Sequence, residues 1–456
     1  MTRNANWIFR AALATLTIWA GFIALRYSLP FWYDEVFTLG AAGINAAGPD
    51  WPVILRDVHP PTYLLLVNVA AQIVEGSSHA MRLVNALALP ILGLAALSLR
   101  RSLQGPAFWA AILLLTGHLF FFHTSLELRS YGLLLALSTL GHALWLAHLQ
   151  GRPNTPALLA TALALTSLHF FGAALGTALL IAAGLHSRRP LPFAGAALCI
   201  AATLTWAFGI ADLSGALGGG LWIRNGIGTW LTFASGLPLI LTALLAVAVA
   251  RKKSPERWPN PHPLWLLAPS AMVIAVALVI SLHSPVISVK NLIVTIPGLA
   301  LFTGMAAPPS LLKAANATPF TFALALLTTG ASAWKAAQPH EYVRWAITTA
   351  TPPNCDGIPL YVFRPDIVDE YAQHVFLGTQ KRPLADIPDI TGAADLAPYR
   401  GGCDIIAAGW HEPGYAIVMK RFFEQKGIPV FIGHHPQAEA RGDTRLSPGF
   451  VIRLER

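Results

Sequence analysis

Four short stretches carry most of the chemistry available in the first 334 residues. The run Phe31-Trp32-Tyr33-Asp34-Glu35 sets two carboxylates side by side behind three aromatic rings. Neighbours on a helix point about 100° apart, so Asp34 and Glu35 cannot both face one small site. One could act as a base while the other caps or pairs, or the pair could simply open a helix beside an aromatic interface belt. In Asp57-Val58-His59-Pro60-Pro61-Thr62-Tyr63 the prolines fix a helix start and hold His59 where it could donate to a phosphate. The plainer reading is a capped helix start. Glu127-Leu128-Arg129-Ser130-Tyr131 lies between two strongly apolar runs, where a carboxylate and a guanidinium are costly to place. They could serve a site or merely pair with each other. Lys290-Asn291 opens another apolar run, and a lysine at a helix N-terminus opposes the macrodipole unless an anion joins it. A lysine snorkelling to the surface is the alternative.

The elements that would position these groups are membrane spans. The chain of 456 residues is 55% hydrophobic and only 12% charged, about half the usual charged fraction, and its mean hydropathy is +0.55. That excludes fibrous, disordered and disulfide-scaffold classes and makes a polytopic membrane protein the expectation. Apolar runs at 7–28, 80–99, 106–124, 131–149, 156–170, 171–186, 191–211, 227–250, 263–282, 291–307 and 317–334 predict eleven spans. The stretch 60–74 is too short to cross and is expected to lie at the interface. The first run has no small-residue cleavage site and is expected to stay as a span.

Lysine and arginine positions set the expected orientation. With the N-terminus inside, the cytoplasmic connections hold twelve cations and the external ones six: Arg26, Arg56, Arg82, Arg129, Arg224 and Lys290. All of the net charge of +9 then falls on the cytoplasmic face, so a nucleic-acid partner is not needed to explain it. Seven of the eight carboxylates in this part are external, Glu256 being the exception. Residues 335–456 hold 27 of the 53 charged side chains and read as a separate soluble domain outside the membrane. Strands are expected at 358–363, 403–408, 428–432 and 450–454, with a helix at 415–425 stopped by Gly427. Cys355 and Cys403 both lie there, on the oxidising side, either bridged or as two thiols, and Cys199 is expected to be packing within a span.

The ordered set resembles the bacterial GT-C glycosyltransferases of family 39, the group that includes protein O-mannosyltransferases and the aminoarabinose transferases of lipid A. The order is an acid pair after span one, His-Pro-Pro, Glu-x-Arg-x-Tyr, and a basic residue ahead of a Leu-rich span with proline. The resemblance covers roughly residues 7–334 and none of the tail. It implies a GT-C-like domain of many transmembrane helices with interfacial helices in the first external loop. It also implies a polyprenyl-phosphate-linked sugar as donor and inverting transfer on the external face. By that resemblance Asp34 is the general base and Glu127 a second acid that orients acceptor or sugar. His59, Arg129 and Lys290 meet the donor phosphate. Glu35, Asp57, Tyr63, Tyr131, Asn291, His169 and Arg224 are further candidates for substrate binding. Arginine is usual where this chain has Lys290, and tyrosine is frequent where it has Asn291; lysine keeps the charge but loses the bidentate fork.

The chemistry suits those residue types. Transfer from a lipid phosphate needs one base on the acceptor hydroxyl and fixed cations for the departing phosphate. Inversion in a single step needs no enzyme nucleophile. No metal-ligand spacing such as His-Glu-x-x-His occurs, so no obligatory metal is expected, although His59, His169 and His283 leave room for an incidental one. The expectation is thus an inner-membrane enzyme of a bacterial envelope. Its residues 1–334 would be catalytic and its acceptor lipid A core, a polysaccharide or another glycan. A lipid or sugar transporter is the competing class. Transporters commonly show repeats and broken helices meeting at mid-membrane, and no repeat is visible here. An inactive scaffold is a third possibility.

Overall fold

The computed structural model describes residues 6–26, 33–43, 49–55, 57, 59–74, 78–210, 226–253, 258–336, 355, 357–362, 384–386, 406–407, 415–434 and 450–454. The chain forms two compact units, one of Met1–Tyr27 with Ala41–Gln338, the other of Ser28–Gly40 with Pro339–Arg456. It is a largely helical polytopic membrane protein with a small α/β domain at its C-terminal end.

In chain order the helices are α1 (Trp7–Arg26), α2 (Tyr33–Ala41), α3 (Trp51–Ile54) and α4 (Thr62–Ile73), then the 3-10 helix Ser78–Leu87 running into α5 (Ala88–Ser102). They continue with α6 (Gly105–Thr116), α7 (Leu119–Leu126), α8 (Tyr131–Leu149), α9 (Thr155–Leu168), α10 (Phe170–Ser187), α11 (Pro190–Leu204), α12 (Ile227–Ser235) and α13 (Pro238–Lys253). The last of the first unit are α14 (Ala268–Ser281), α15 (Ile296–Ala306), α16 (Pro309–Ala317) and α17 (Pro319–Ala336).

Among the described residues six helices are long and apolar enough to cross a membrane, or nine if each bent pair counts as one span. That is fewer than the eleven expected, and the reasons are local. Helix α9 has 14 residues, about 21 Å, against a hydrocarbon core of about 30 Å. Helix α17 ends in Thr328, Thr329, Ser332 and Lys335, and falls outside that count. Three other runs are broken. The stretch read as 106–124 bends by 58° between α6 and α7, 227–250 by 88° between α12 and α13, and the run from Asn291 by 94° before α16. Each break has a sequence cause: Gly117 with His118, Gly236 with Pro238, and Pro308-Pro309, since residues ahead of proline leave the helical region. The stretch read as interfacial is α4, 12 residues long and too short to span.

Helix α8 is the axis of the first unit, with 16 of its 19 residues buried, as expected of a helix apolar on every side. It packs against α5, α9 and α10, and α10 in turn against α11 and α14. By contrast the spans Trp7–Leu25 and Ala80–Ser102 are only 28% buried, which leaves an apolar outer face for lipid. Close approach of α9 and α10 depends on glycines, as is common between membrane helices. A Cβ on Gly176 would stand 2.8 Å from the Ala162 carbonyl oxygen, and one on Gly172 just 2.3 Å from that of Leu165.

In the second unit β1 (Leu360–Val362), β2 (Leu384–Asp386), β3 (Ile406–Ala407), β4 (Val430–His434) and β5 (Phe450–Leu454) form one sheet in the order β2-β1-β3-β5-β4. The pairs β1–β2 and β1–β3 are parallel, and β5 runs antiparallel to both β3 and β4. Strand β2 was not foreseen, because three residues carry too little alternation to stand out. Helix α18 (Tyr415–Gln425) ends in a Schellman turn: Gly427 is at φ 71°, its N–H donates to Glu424 O, and Ile428 N–H donates to Phe423 O. Phe423, Val451 and Ile452 are buried. Cys355 is buried and disulfide-bonded, whereas Cys199 is a free buried thiol; Cys403 lies outside the described residues.

Gly172→Ala should cost about 1–3 kcal/mol by overpacking, because the added carbon meets backbone that cannot rotate away. Thermal unfolding in detergent would read this as a lower midpoint, and an unchanged midpoint would show that α9 and α10 can part without penalty.

Candidate functional site

The four residues Glu127 to Ser130 join α7 to α8, and each end of the link is held. His118 precedes α7 in extended conformation and its Nδ1 accepts from Phe121 N–H, capping the helix. At the other end Gly132 lets α8 start against α7, for a Cβ there would lie 2.8 Å from Thr124 O. Leu128 between the two charges is fully buried, so Glu127 and Arg129 are anchored around an apolar peg. The Glu127 carbonyl accepts from Arg129 N–H at 2.7 Å and from Asn85 Nδ2 at 2.6 Å. Tyr63 OH in turn donates to Asn85 Oδ1 at 3.0 Å. Helix α4 and the 3-10 helix thereby brace the link.

The Glu127 side chain is 2% exposed and meets two bases. Lys290 Nζ lies 2.6 Å from Oε1, and His123 Nδ1 stands 3.2 Å from Oε2. The Lys290 ammonium also sits 5.3 Å from the centre of the Tyr131 ring, within cation–π range. Burial pushes the Glu127 carboxyl up, but the Lys290 charge and the His123 contact outweigh it and hold it below the usual carboxylate range. A general base works best with a pKa near the operating pH. Held this way, Glu127 is a fixed negative charge and a poor proton acceptor.

Next to this pair stands a second group. Asp57 is buried and its Oδ1 accepts from His59 N–H at 3.2 Å, with His59 Nδ1 at the same distance. Burial raises the Asp57 carboxyl, yet the contact with His59 and the charges of His59 and Arg129 leave it lowered overall. Arg129 Nη2 lies 3.4 Å from the same His59 Nδ1. One ring nitrogen can donate to Asp57 or accept from Arg129, not both at once. His169 occupies the single-residue link between α9 and α10, its ring 4.9 Å from that of His59 and 5.6 Å from that of Tyr131. Its Nδ1 accepts from Phe171 N–H and caps α10, which puts the ring hydrogen on Nε2. That Nε2 is buried without a hydrogen-bond partner among the described residues. Burial first, then the charges of His59 and Arg129, push His169 well below its ordinary value, so it is neutral.

The first unit therefore brings together Asp57, His59, Glu127, Arg129, Tyr131, His169 and Lys290 from four separate stretches of sequence. Tyr63 joins them through Asn85. Asn291 turns away, its Nδ2 donating to Val286 O at 2.8 Å and its N–H to Ser288 Oγ, and so holds the loop that carries Lys290. Glu35 is buried on α2 and belongs to the second unit. Asp34 precedes it on the same helix, its side chain outside those described. Arg224 lies outside the described residues altogether. Among the described residues no group of three or more His, Cys, Asp or Glu is placed to hold a metal. The sequence reading missed His123 and Asn85; the spacing of His123 and Glu127, i and i+4 at a helix end, could have revealed the first.

A cavity of about 300 Å³ adjoins this link. Leu16, Trp19, Leu89, Gly93, Leu115 and Leu126 line it, and Arg82, Asn85 and Ser125 are among its few polar walls. Asn85 is the shared residue, since it also holds the Glu127 carbonyl.

No protein-family profile matches the sequence, and no curated protein matches it. Solved structures do match in fold. ArnT from Cupriavidus metallidurans in the apo state superposes over 98% of this chain and 97% of its own, at 14% identity and a TM-score of 0.52. The same protein bound to undecaprenyl phosphate covers 98% of each chain, also at 14% identity, with a TM-score of 0.51. The oligosaccharyltransferase of Archaeoglobus fulgidus aligns over 83% of this chain and 62% of its own, at 11% identity and a TM-score of 0.44. The architecture is the GT-C-like one that the ordered motifs led us to expect.

Because the Glu127 pKa is depressed in the fold, its stabilising effect is complete above the unfolded value of about 4.3 and fades as the pH falls below it. Unfolding midpoints taken from pH 7 to pH 3.5 should drop on acidification. Lys290→Met should lower the midpoint at pH 7, a loss of up to about 3–5 kcal/mol in stability for a buried carboxylate stripped of its cation, and flatten the acid limb. A variant with the wild-type slope would show that Lys290 does not hold Glu127 ionised.

Proposed function

We propose that this chain is an integral-membrane glycosyltransferase that moves a sugar from a polyprenyl-phosphate carrier to an envelope acceptor. The observation that carries the reading is the gathering of Arg129, Lys290, His59 and His169 around a link whose brace, Asn85, also lines an apolar cavity, within a GT-C-like fold. A lipid phosphate has those two halves: an anion that needs cations and neutral donors, and a hydrocarbon chain that needs a dry wall. The likeness in fold to ArnT bound to undecaprenyl phosphate supports the same pairing.

In this reading the acceptor hydroxyl attacks the anomeric carbon from the face opposite the phosphate. The new C–O bond forms as the bond from carbon to phosphate oxygen breaks, which inverts the centre and releases polyprenyl phosphate. Asp34 takes the hydroxyl proton as general base. Arg129 and Lys290 meet the charge that grows on the leaving phosphate, the kind of preorganised electrostatic stabilisation that commonly dominates such reactions. The buried Nε2 hydrogen of His169 adds a neutral donor, and Asp57 keeps His59 oriented. Glu127 supplies a fixed charge that sets Lys290 and orients acceptor or sugar.

The acceptor is lipid A core, a polysaccharide or another glycan of a bacterial envelope, met at the extracytoplasmic face of the inner membrane. Twelve of the eighteen cations of residues 1–334 on the cytoplasmic connections support that orientation. The C-terminal domain then lies on the same side as the acceptor.

With membranes, a labelled panel of polyprenyl-phosphate sugars and envelope extracts, Asp34→Asn should lower the transfer rate by about 10²–10⁴-fold, the usual worth of a general base. Equal rates for wild type and variant would remove Asp34 from that role. Gly93 faces open space, with no atom within 4 Å of an added Cβ, and it lines the cavity. Gly93→Phe should therefore narrow the cavity and raise KM for long-chain donors more than for a farnesyl-phosphate donor. Equal KM for both chain lengths would place the carrier elsewhere.

A further inference from the structure

Asn85 has no part in the reaction described above, yet it stands where the apolar cavity meets the link that carries Glu127 and Arg129. Glu127 closes α7 at φ −68° and ψ 122°, and carbonyls at a helix end have no partner within the helix. Its carbonyl takes two other donors. Arg129 N–H reaches it from 2.7 Å and Asn85 Nδ2 from 2.6 Å. A bond between residues two apart closes a three-residue turn, here centred on buried Leu128. Asn85 grips that turn from a different element, the 3-10 helix Ser78–Leu87.

The amide can point only one way. The Glu127 carbonyl accepts and never donates, so the nitrogen must face it, and Tyr63 OH donates to Oδ1 from 3.0 Å. Asn85 is buried, so turning the amide over would leave polar groups unsatisfied. The same residue lines the cavity, together with Leu126 just before the link and Gly132 just after it. The consequence falls on Arg129. Its backbone N–H shares the carbonyl that Asn85 holds, so the setting of that carbonyl decides where the guanidinium leaves the chain. Nη2 then comes to lie 3.4 Å from His59 Nδ1.

We propose that Asn85 is a positioning residue: by holding the Glu127 carbonyl it aims Arg129 at the phosphate of the lipid carrier and fixes that phosphate site relative to the cavity for the chain. The inference rests on reading this cluster as a lipid-phosphate site. Asn85→Leu keeps the bulk of the cavity wall and deletes both hydrogen bonds. Asn85→Asp keeps the shape. A carboxyl in apolar surroundings tends to stay protonated, and its O–H can then donate to the Glu127 carbonyl. Two probes separate head from chain: undecaprenyl phosphate, and undecaprenol, which has the same chain without the phosphate. Each is titrated into the purified full chain in detergent from about pH 5.5 to about pH 9, every variant being compared with wild type at the same pH.

Asn85→Leu should weaken undecaprenyl phosphate binding about ten-fold, the worth of one buried hydrogen bond, and leave undecaprenol binding unchanged. Asn85→Asp should bind undecaprenyl phosphate like wild type where its carboxyl is protonated, and fall toward Asn85→Leu where it ionises. A residue that served only as cavity wall would weaken both probes alike, or neither, and either result overturns the proposal. An aspartate variant no better than the leucine variant at any pH overturns it too, as does a wild type that binds either probe without saturation. If wild type and variants bind as expected but no donor in the panel yields transfer, the positioning role stands and the transferase reading fails.

Discussion

A carboxylate with 2% of its side chain exposed is destabilising unless charged or polar groups meet it, and the arrangement of the first unit follows from how Glu127 meets that demand. The cost of burying an isolated charge is several kcal/mol even after relaxation, and no single partner removes it. One cation arrives from 163 positions further along the chain, ahead of α15, and the other base from one turn back on α7. The backbone of the same residue is fastened separately, by Asn85 and through it Tyr63. Three elements distant in sequence, and the helix that Glu127 closes, are thus tied to one residue by polar contacts.

The helix breaks make this meeting possible. A straight helix through residues 105–126 would leave no turn at which a cap could orient α7. The 58° bend at Gly117 and His118 aims α7, and hence His123 and Glu127, independently of α6. The link from α9 to α10 works the same way with a single residue. His169 ends one helix, caps the next and presents its ring to His59 and Tyr131. Breaks inside membrane helices need replacement partners for the freed backbone groups, and here histidine side chains supply them at both sites.

That logic explains what was legible in the sequence and what was not. Glu127, Arg129 and Tyr131 stood out because charges between two long apolar runs are expensive, and His59 because paired prolines fix what precedes a helix. Their gathering with Lys290 needed only the order of the spans. Asn85 was hidden inside the apolar run at 80–99, where one amide does not alter the average. His123 was hidden among Phe120, Phe121 and Phe122, read as part of a span whose bend was not anticipated. Span count suffered for the same reason: hydropathy measures how apolar a run is and is blind to a bend within it. In the C-terminal domain the helix stop at Gly427 was readable from glycine's tolerance of positive φ. Strand β2, three residues long, owes its existence to pairing with β1 and has no pattern of its own.

The capping role of His169 also bears on how the site responds to its surroundings. In the orientation proposed above the site faces a compartment that takes on the acidity of the medium, where most histidines would gain or lose a charge as conditions drift. This one cannot take up a proton at Nδ1 without releasing the first turn of α10, and burial opposes the charged ring as well. Arg129 beside it keeps its charge at any ordinary acidity. A donor locked as neutral and a guanidinium locked as cationic would give an organism in an acidifying niche the same binding surface it has in a neutral one.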